Sequence, residues 1–138
     1  MNFLLDTNVV SEWVKPRPNR GLIRWMESAD EDRLFLSVVT LAELRYGVEK
    51  MPASARRNRL DRWVGLELAQ RFERRIVSVD PEVAHVWARV VAESESSGRP
   101  MSVIDAFLAA TARVHNLTLV TRNVSHFPLL KYLLSPWE

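Results

Sequence analysis

The sequence predicts an α/β fold in which a mainly parallel sheet is covered by helices on both faces. Short apolar runs alternate along the chain with longer segments that repeat apolar residues at helical spacing. Polar residues follow several of the apolar runs, as expected where buried strands turn into helices. Such alternation is typical of parallel strands joined by helical crossovers. The length, 138 residues, suits one domain, and we expect residues 1–138 to form it.

Two predicted strands lie in the first half of the chain. The apolar run Phe3-Leu4-Leu5 ends at Asp6 and leads into a helical stretch, which is typical of a buried strand that turns into a helix. A second apolar run begins at Leu34, after a polar turn, and is again followed by residues at helical spacing. We expect strands at 3–5 and 34–38, and helices at 9–13, around 22–26, at 41–48 and across the long segment 53–72.

The second half repeats this alternation. Asp80-Pro81 is a favourable helix start because proline suits the first helical turn, and Gly98 marks where that helix stops. A largely apolar helix follows and ends at Asn116, just before the next apolar run. We expect strands at 74–79 and 117–120, helices at 81–96 and 102–115, and an additional edge strand within 129–134.

The composition excludes several kinds of chemistry. Without cysteine, the chain forms no disulfides, binds no metal through thiolates and has no thiol nucleophile. The net charge is only +2, so the bulk charge does not demand a nucleic acid partner. The first residues lack the pattern of a signal peptide, and no apolar run approaches the ~18 residues of a membrane span. We therefore expect a cytoplasmic protein without a membrane segment.

Four polar residues are expected near one crevice. Ligands of open parallel α/β sheets bind outside the carboxyl ends of the strands, where loops and helix N-termini converge. Asp6 and Asn123 each follow a predicted strand. Glu43 lies in the helix after the second strand, and Asp105 lies near the start of the helix that precedes strand 117–120. These four residues are the candidate catalytic residues.

Each of the three acids also has a purely structural explanation. Thr40-x-x-Glu43 and Ser102-x-x-Asp105 both match a capping box, in which an acid of the first turn bonds back to the helix start. Asp6 is placed to cap its own helix. Several carboxylates in one crevice, however, repel one another unless a cation lies between them. The joint pattern therefore favours a metal site formed by Asp6, Glu43 and Asp105.

The metal that suits such a site is Mg²⁺ or Mn²⁺, because both accept ligand sets made only of oxygen. The chemistry that this site favours is attack of water on a phosphodiester, helped by metal that activates the water and neutralises developing charge. The sequence leaves open whether one ion or two are bound.

Histidines and arginines have more than one interpretation. His126 is the only histidine expected near the crevice, and a surface position is the alternative to a metal or substrate role. Seven of the sixteen arginines fall in two stretches, for which the interpretations are a solvated face, phosphate binding or binding of an acidic partner peptide. The members of these stretches are Arg56, Arg57, Arg59, Arg62, Arg71, Arg74 and Arg75.

Four sequence motifs resemble those of the PIN-domain ribonucleases, and within them the VapC-type toxins of bacterial toxin-antitoxin pairs. The first is Leu-Leu-Asp-Thr-Asn-Val-Val-Ser-Glu at 4–12, and the second is Ser-Val-Val-Thr-Leu-Ala-Glu-Leu-Arg-Tyr-Gly at 37–47. Residues 105–112 and 121–123 resemble the third and fourth. The ending Ser-Pro-Trp at 135–137 resembles the FitB-like subgroup. The four motifs occur in family order and span nearly the whole chain.

The resemblance implies an α/β/α sandwich with endoribonuclease activity that depends on Mg²⁺ or Mn²⁺. It also implies a homodimer, inhibition by a cognate antitoxin inserted near the active site, and a higher toxin-antitoxin complex. Asp6, Glu43 and Asp105 would hold the metal. Relatives often have a fourth carboxylate at the position of Asn123 or of His126, and neither residue is acidic here. Asn123 brings an oxygen ligand without charge, which weakens a second metal site.

Two other functions remain as alternatives. A catalytically weak PIN-fold module would bind RNA or the antitoxin without cutting RNA, as the missing fourth acid suggests. A phosphoacceptor domain or phosphatase would also place an aspartate after its first strand. Those sites usually pair that aspartate with a second acid nearby, whereas Asp6 is followed by Thr7 and Asn8. We therefore rank this last function below the other two.

Overall fold

The fold is built around one five-stranded sheet, seen in a computed structural model that describes residues 1–138. The strand order is β3-β2-β1-β4-β5, and every neighbouring pair is parallel. The first strand of the chain is therefore the centre of the sheet, which confirms the predicted fold class. The strands are β1 (Phe3–Leu5), β2 (Leu34–Ser37), β3 (Ile76–Val77), β4 (Thr118–Val120) and β5 (Leu133–Leu134).

Seven α-helices connect and cover these strands. None of them is both long and apolar enough to cross a membrane. They are α1 (Thr7–Trp13), α2 (Arg20–Ser28), α3 (Val38–Glu49), α4 (Ala55–Arg62), α5 (Leu68–Arg71), α6 (Pro81–Ser96) and α7 (Val103–Val114).

The two faces of the sheet carry separate cores because successive strand residues point in opposite directions. Leu5 of β1 belongs to the core beneath α1, α2, α3 and α5, whereas its neighbour Leu4 belongs to the core beneath α6 and α7. Leu36 and Phe35 of β2 divide between the cores in the same way. Helices on both faces make the three layers that the resemblance implied.

Strand β2 ends one residue earlier than the sequence predicted. We expected Val38 in the strand, but it is the first residue of α3. The helix begins here because Ser37 has extended backbone and its hydroxyl accepts a hydrogen bond from the Val39 amide at 3.0 Å. The apolar run therefore continues from a strand directly into a helix, which an apolar pattern alone does not reveal.

The long helical segment predicted at 53–72 is interrupted. A π-helical turn, Trp63–Glu67, separates α4 from α5, so the prediction of one continuous helix was wrong. Gly65 lies within this turn, and a side chain there would meet the Arg45 guanidinium at 3.0 Å. The turn, which includes Trp63 and Val64, widens the helix at this point.

Strand β3 is much shorter than the predicted strand 74–79. Arg74 has a left-handed backbone with φ of 65°, which is incompatible with a strand. The next residue, Arg75, is held by hydrogen bonds from its guanidinium to the backbone oxygens of Glu31, Leu34 and Arg71. The polar half of the predicted strand is therefore a tight turn that anchors the chain before Ile76.

Candidate active site

A polar cleft of about 560 Å³ lies at the carboxyl edge of the sheet. It contains the four candidate catalytic residues, Asp6, Glu43, Asp105 and Asn123, together with His126. They come from the end of β1, from α3, from the first turn of α7 and from the segment after β4. The expected convergence on one crevice is therefore found. The other residues that line the cleft are Thr7, Asn8, Ser11, Glu12, Lys15, Ser102, Arg122 and Trp137.

Asp6 is the most buried of the acids, at 6% exposure. It immediately follows β1, and its backbone amide still bonds to Val120 of β4 at 2.9 Å. Its carboxylate accepts hydrogen bonds from the Thr7 amide at 2.7 Å, from the Thr121 hydroxyl at 2.7 Å and from the Asn8 amide group at 3.3 Å. Asp6 does cap α1, as the structural explanation held, yet its carboxylate also faces the cleft.

Burial raises the pKa of Asp6 above its usual range. Loss of solvation is the largest cause, and the charges of Asp105 and Glu43 act in the same direction. Hydrogen bonds from Thr121 and Thr7 favour the ionised form and oppose the shift. The repulsion that the sequence led us to expect among the three acids is therefore present, and it acts on Asp6.

In metal-free protein, Asp6→Asn should stabilise the fold at neutral pH. Because the pKa of Asp6 is higher in the folded protein, its contribution to stability is present below the unfolded pKa near 3.8 and is lost as pH rises through the folded pKa. Asparagine keeps the shape and removes the charge. Urea unfolding in EDTA should show a higher free energy of unfolding for Asp6→Asn than for the unmodified protein at pH 7, and this difference should shrink in acid. Asp32→Asn, at an exposed position, is the control and should show no such difference. A loss of stability at pH 7 would contradict this expectation.

Glu43 does not form the predicted capping box. Because α3 begins at Val38, Thr40 lies inside the helix and is not its cap. The Glu43 carboxylate instead accepts a hydrogen bond from the Thr7 hydroxyl at 2.5 Å, and that hydroxyl lies 3.3 Å from the hydroxyl of buried Thr40. The contact ties α3 to α1 and holds Glu43 at the cleft.

Asp105 fits the capping box only in part. The Ser102 hydroxyl accepts a hydrogen bond from the Asp105 amide at 3.1 Å, so Ser102 caps α7 as predicted. The Asp105 side chain is 23% exposed, and its carboxylate lies 3.6 Å from the imidazole of His126 and lines the cleft. Its oxygens therefore face the cleft and are open to a ligand.

Asn123 and His126 flank a short 3₁₀ turn, Val124–His126, after β4. The backbone amide of Asn123 donates to the Thr121 hydroxyl at 3.0 Å, and its exposed side chain lines the cleft. His126 is more than half exposed and reaches the cleft beside Asp105. Both residues therefore occupy the corner where the sequence offers no fourth carboxylate.

The donor set fits a hard divalent cation, since it consists of carboxylate oxygens with an amide oxygen nearby. As the side chains lie, no three acidic or histidine groups are close enough together to form a complete ligand set. Glu43 is turned towards Thr7, and Asp6 is held by three donors. Bringing Glu43 and Asp105 towards Asp6 therefore requires rotation of these partly exposed side chains, and for Glu43 it also requires breaking the hydrogen bond to Thr7.

Threonine and asparagine side chains that position the acids were not singled out by the sequence analysis. Thr121 is fully buried beneath Asp6, and Thr7 holds Glu43. Asn8 donates to Asp6, and its side-chain oxygen accepts from the Arg122 amide at 3.1 Å. Thr7, Asn8 and Thr121 occur within the quoted motifs, so the motifs were the available sign of these roles.

Glu12 forms a second buried anchor at the cleft. Its carboxylate accepts from the Lys15 ammonium at 2.8 Å and from the Asn19 amide at 2.9 Å, and its side chain is 11% exposed. The hydrogen bond from Lys15 is the main reason that the pKa of Glu12 is lowered, with the Arg122 charge as a smaller cause. Glu12 thus fixes the loop between α1 and α2 at the cleft wall.

Glu12→Gln should lower the free energy of unfolding by about 1–2 kcal/mol at neutral pH, because one charged acceptor is lost. Since the pKa of Glu12 is lower in the folded protein, its contribution is present above the unfolded pKa near 4.5 and is lost as pH falls through the folded pKa. Urea unfolding across this range should show the deficit vanish in acid. Glu95→Gln, at an exposed position, should show no such deficit. Equal free energies of unfolding for Glu12→Gln and the unmodified protein at every pH would contradict the stabilising role of Glu12.

A more apolar groove of about 330 Å³ adjoins the cleft. It runs between α1, α3 and the α4–π-turn segment, and it shares Thr7, Ser11, Lys15 and Glu43 with the cleft. Two of the arginines from the first stretch border the groove. Its remaining walls include Leu44, Val48, Arg56, Arg59, Leu60, Trp63 and Val64.

The second arginine stretch is structural. The Arg71 guanidinium pairs with Glu31 and lies over the Trp13 ring at 4.2 Å. Arg75 donates to three backbone oxygens, as described above. These two side chains are therefore committed to internal contacts, and the phosphate-binding alternative does not apply to them.

The fold and the cleft together define an α/β protein with an acid-lined site outside the carboxyl ends of a five-stranded parallel sheet. The PIN domain family matches residues 3–127, which is nearly all of the chain. The chain belongs to the PIN-domain family, and the resemblance drawn from the four motifs is confirmed.

Relatives match over almost their whole length. The chain is 34% identical over 136 residues to Toxin FitB of Neisseria gonorrhoeae, with 98% of each covered. It is 33% identical over 136 residues to VapC ribonuclease Y4jK of Sinorhizobium fredii, covering 98% of this chain and 97% of the relative.

Solved structures agree with these relatives. The crystal structure of FitAcB from Neisseria gonorrhoeae has a TM-score of 0.91 at 34% identity, with 99% of each chain covered. VapBC-5 of Mycobacterium tuberculosis, a member of the VapBC family of toxin-antitoxin systems, has a TM-score of 0.69 at 27% identity, covering 97% of this chain and 96% of that one.

Proposed function

We propose that this protein is the ribonuclease toxin of a toxin-antitoxin pair and that it hydrolyses RNA phosphodiester bonds in the polar cleft. The observation that carries the proposal is the meeting of Asp6, Glu43 and Asp105, from three separate segments, at the carboxyl edge of the sheet. Membership of the PIN-domain family and similarity to a VapC ribonuclease support it.

The charge of the cleft supports a divalent cation between protein and substrate. Four carboxylates line the cleft, from Asp6, Glu12, Glu43 and Asp105, against one lysine and one arginine. A polyanion such as RNA is repelled by this excess of negative charge unless a cation compensates it. The raised pKa of Asp6 has part of its cause in the same repulsion.

Asp6, Glu43 and Asp105 would hold Mg²⁺ or Mn²⁺. When bound, such an ion lowers the pKa of water and neutralises charge on the phosphoryl oxygens. The protein's own contribution is positional: Thr121, Thr7 and Asn8 orient the carboxylates through the hydrogen bonds described above. This support keeps negative charge directed at the place where the cation would lie.

The remaining polar groups of the cleft suit contacts with RNA. Asn123 offers an amide that can bind a ligand or a substrate oxygen, and its exposed position leaves it accessible. Lys15 and Arg122 supply the two cations of the cleft lining, where they can contact phosphates that flank the scissile one. We assign no role in proton transfer to His126.

The test is cleavage of total cellular RNA by the purified protein, with Mg²⁺, with Mn²⁺ and with EDTA, followed by mapping of the cut ends. We expect discrete ends that appear only with a divalent cation. Cleavage that survives EDTA, or no cleavage of any RNA with either ion, would overturn the proposal.

A second candidate is a PIN-fold module that binds RNA or antitoxin with little catalysis. Two observations favour it: Asn123 and His126 stand where a fourth acid is often found, and the three carboxylates do not form a complete ligand set as they lie. This candidate predicts RNA binding without turnover at any concentration of Mg²⁺ or Mn²⁺, so the cleavage experiment also separates the two functions.

The partner we propose is an antitoxin that occupies the apolar groove and reaches the cleft. The groove offers apolar walls with Arg56 and Arg59 at its border, which suit an amphipathic partner segment that carries acidic residues. Its shared lining with the cleft means that an occupant can obstruct access to Glu43. We also propose a homodimer and a higher toxin-antitoxin complex, as the resemblance to VapC-type toxins implies.

Gly47→Phe should weaken antitoxin binding at least tenfold. Gly47 borders the groove on α3, and a Cβ added there meets nothing within 4 Å, so a larger side chain can extend into the groove. Gly47→Ala, which adds one methyl group, is the matched control. Calorimetric titration with the cognate antitoxin measures the effect; full affinity in Gly47→Phe would place the partner elsewhere.

A further inference from the structure

We propose that the segment Ser135–Glu138 is part of the active site and that the indole of Trp137 stacks on a base of the bound RNA. This inference rests on the proposed function, because it names a contact to the RNA substrate. It is carried by three observations: the chemistry of the cleft wall, the contacts that hold the segment, and the space that Gly21 leaves for it.

Trp137 is the only hydrophobic side chain among the thirteen residues that line the cleft. It is partly buried, so one portion packs on the core shared by α1 and α2 while another borders the cleft. Carboxylates and cations contact phosphate and metal but offer nothing to a base. Aromatic rings bind unstacked RNA bases through their faces, and this contact tolerates any base. Trp137 therefore supplies the one surface in the cleft that suits a base.

The segment is held by contacts specific to its backbone. The Asn19 side chain binds Glu138 twice: its oxygen accepts from the Glu138 amide at 3.2 Å, and its nitrogen donates to the Glu138 oxygen at 3.0 Å. The Glu138 carboxylate also pairs with Arg24 of α2. The residue next to the indole is thus fixed, which lowers the entropy that a stacking contact must overcome.

The segment Ser135–Glu138 lies so close to α2 at Gly21 that only glycine fits there. A Cβ at residue 21 would lie 2.3 Å from the backbone oxygen of Pro136 and 2.6 Å from the Glu138 side chain. Any other residue would push the segment away from the helix. A glycine inside a helix costs roughly 1 kcal/mol relative to alanine, so its presence here indicates that close approach of the segment is required.

The same contacts connect Trp137 to the acid-lined wall. Glu12 accepts from the Asn19 amide and from Lys15, and Glu12 and Lys15 both line the cleft. The Asn19 side chain in turn hydrogen-bonds to Glu138, the neighbour of Trp137. The indole and the Lys15 ammonium are therefore fixed by one network, so that a base and its phosphate can be engaged together.

The experiment measures RNA affinity in protein that carries Asp105→Asn, so that the RNA stays intact. Fluorescence anisotropy with a labelled single-stranded RNA of mixed sequence, in Mg²⁺, compares this parent with added Trp137→Leu and Trp137→Phe. We expect Trp137→Leu to weaken binding by about 5- to 100-fold, the range for loss of one stacked base, and Trp137→Phe to stay within about threefold. An oligonucleotide of the same backbone without bases should bind the parent and Trp137→Leu equally.

Trp25→Leu is the matched control, because Trp25 is also a partly buried tryptophan on the same core but does not line the cleft. It should lower thermal stability as Trp137→Leu does, without changing RNA affinity. Equal RNA affinity of Trp137→Leu and the parent would overturn the stacking role. So would an equal loss on RNA with and without bases, which indicates a structural role alone. If unmodified protein neither binds nor cuts RNA, the proposed function fails as well.

Discussion

Asp105→Asn should reduce RNA cleavage by at least about a thousandfold, because charge stabilisation by a bound cation contributes several kcal/mol and each ~1.4 kcal/mol is a factor of ten in rate. Asparagine has the same shape, and the Ser102 cap depends on the backbone amide of residue 105, so the helix start is preserved. The measurement is kcat/KM for a mapped RNA substrate at saturating Mg²⁺, with circular dichroism to confirm the fold.

The control for this variant is Asp32→Asn, an exposed acid in the turn before β2 that lies outside the cleft. It should cleave RNA at the rate of the unmodified protein. If Asp105→Asn also keeps that rate, the acid-based mechanism is wrong, whatever the identity of the RNA. Loss of RNA cleavage in both Asp105→Asn and Asp32→Asn would point to an effect on folding or solubility.

Thr121→Val should cost about 2 kcal/mol of folding stability at neutral pH and lower cleavage by about 10- to 100-fold. Valine keeps the shape of fully buried Thr121 but removes the hydroxyl that donates to the Asp6 carboxylate at 2.7 Å. Since that hydrogen bond lowers the pKa of Asp6, its loss raises this pKa further. The stability deficit should therefore grow as pH rises through the folded pKa of Asp6 and shrink in acid.

Thr118→Val is the matched control for Thr121→Val. Thr118 is a buried threonine of β4, and its hydroxyl takes no part in the network around Asp6. Urea unfolding in EDTA at several pH values, together with cleavage rates in Mg²⁺, compares the two variants. A Thr121→Val deficit that is independent of pH, or equal to that of Thr118→Val, would contradict a role through Asp6.

Most of the fold could be predicted because it rests on local patterns. The apolar run at 3–5 and the helix starts at Pro81 and Ser102 were predicted correctly, since each depends on residues close in sequence. The errors arose where the same residues are compatible with two kinds of secondary structure. Residues 34–38 are apolar throughout except for Ser37, whose hydroxyl makes it a helix cap. The apolar residues of segment 53–72 keep helical spacing, which gives no sign of the π turn at Trp63–Glu67.

The convergence of the candidate residues on one cleft was predicted, but their hydrogen-bond contacts were not. Asp6, Glu43 and Asp105 all line the cleft, because the carboxyl ends of parallel strands meet at one edge. Their hydrogen-bond partners were not predicted, since the contact of Thr7 with Glu43 spans 36 residues and that of Thr121 with Asp6 spans 115. No sequence spacing reveals such pairs, and a capping box was a reasonable but wrong local explanation for Glu43.

The central place of β1 in the sheet has a consequence for synthesis of the chain. The ribosome makes β4 and the threonine beneath Asp6 115 residues after β1 and Asp6. A growing chain therefore has neither the β1–β4 pair nor the hydrogen bond that orients the Asp6 carboxylate until residue 121 has been made. The cleft can take its final form only after that point in synthesis.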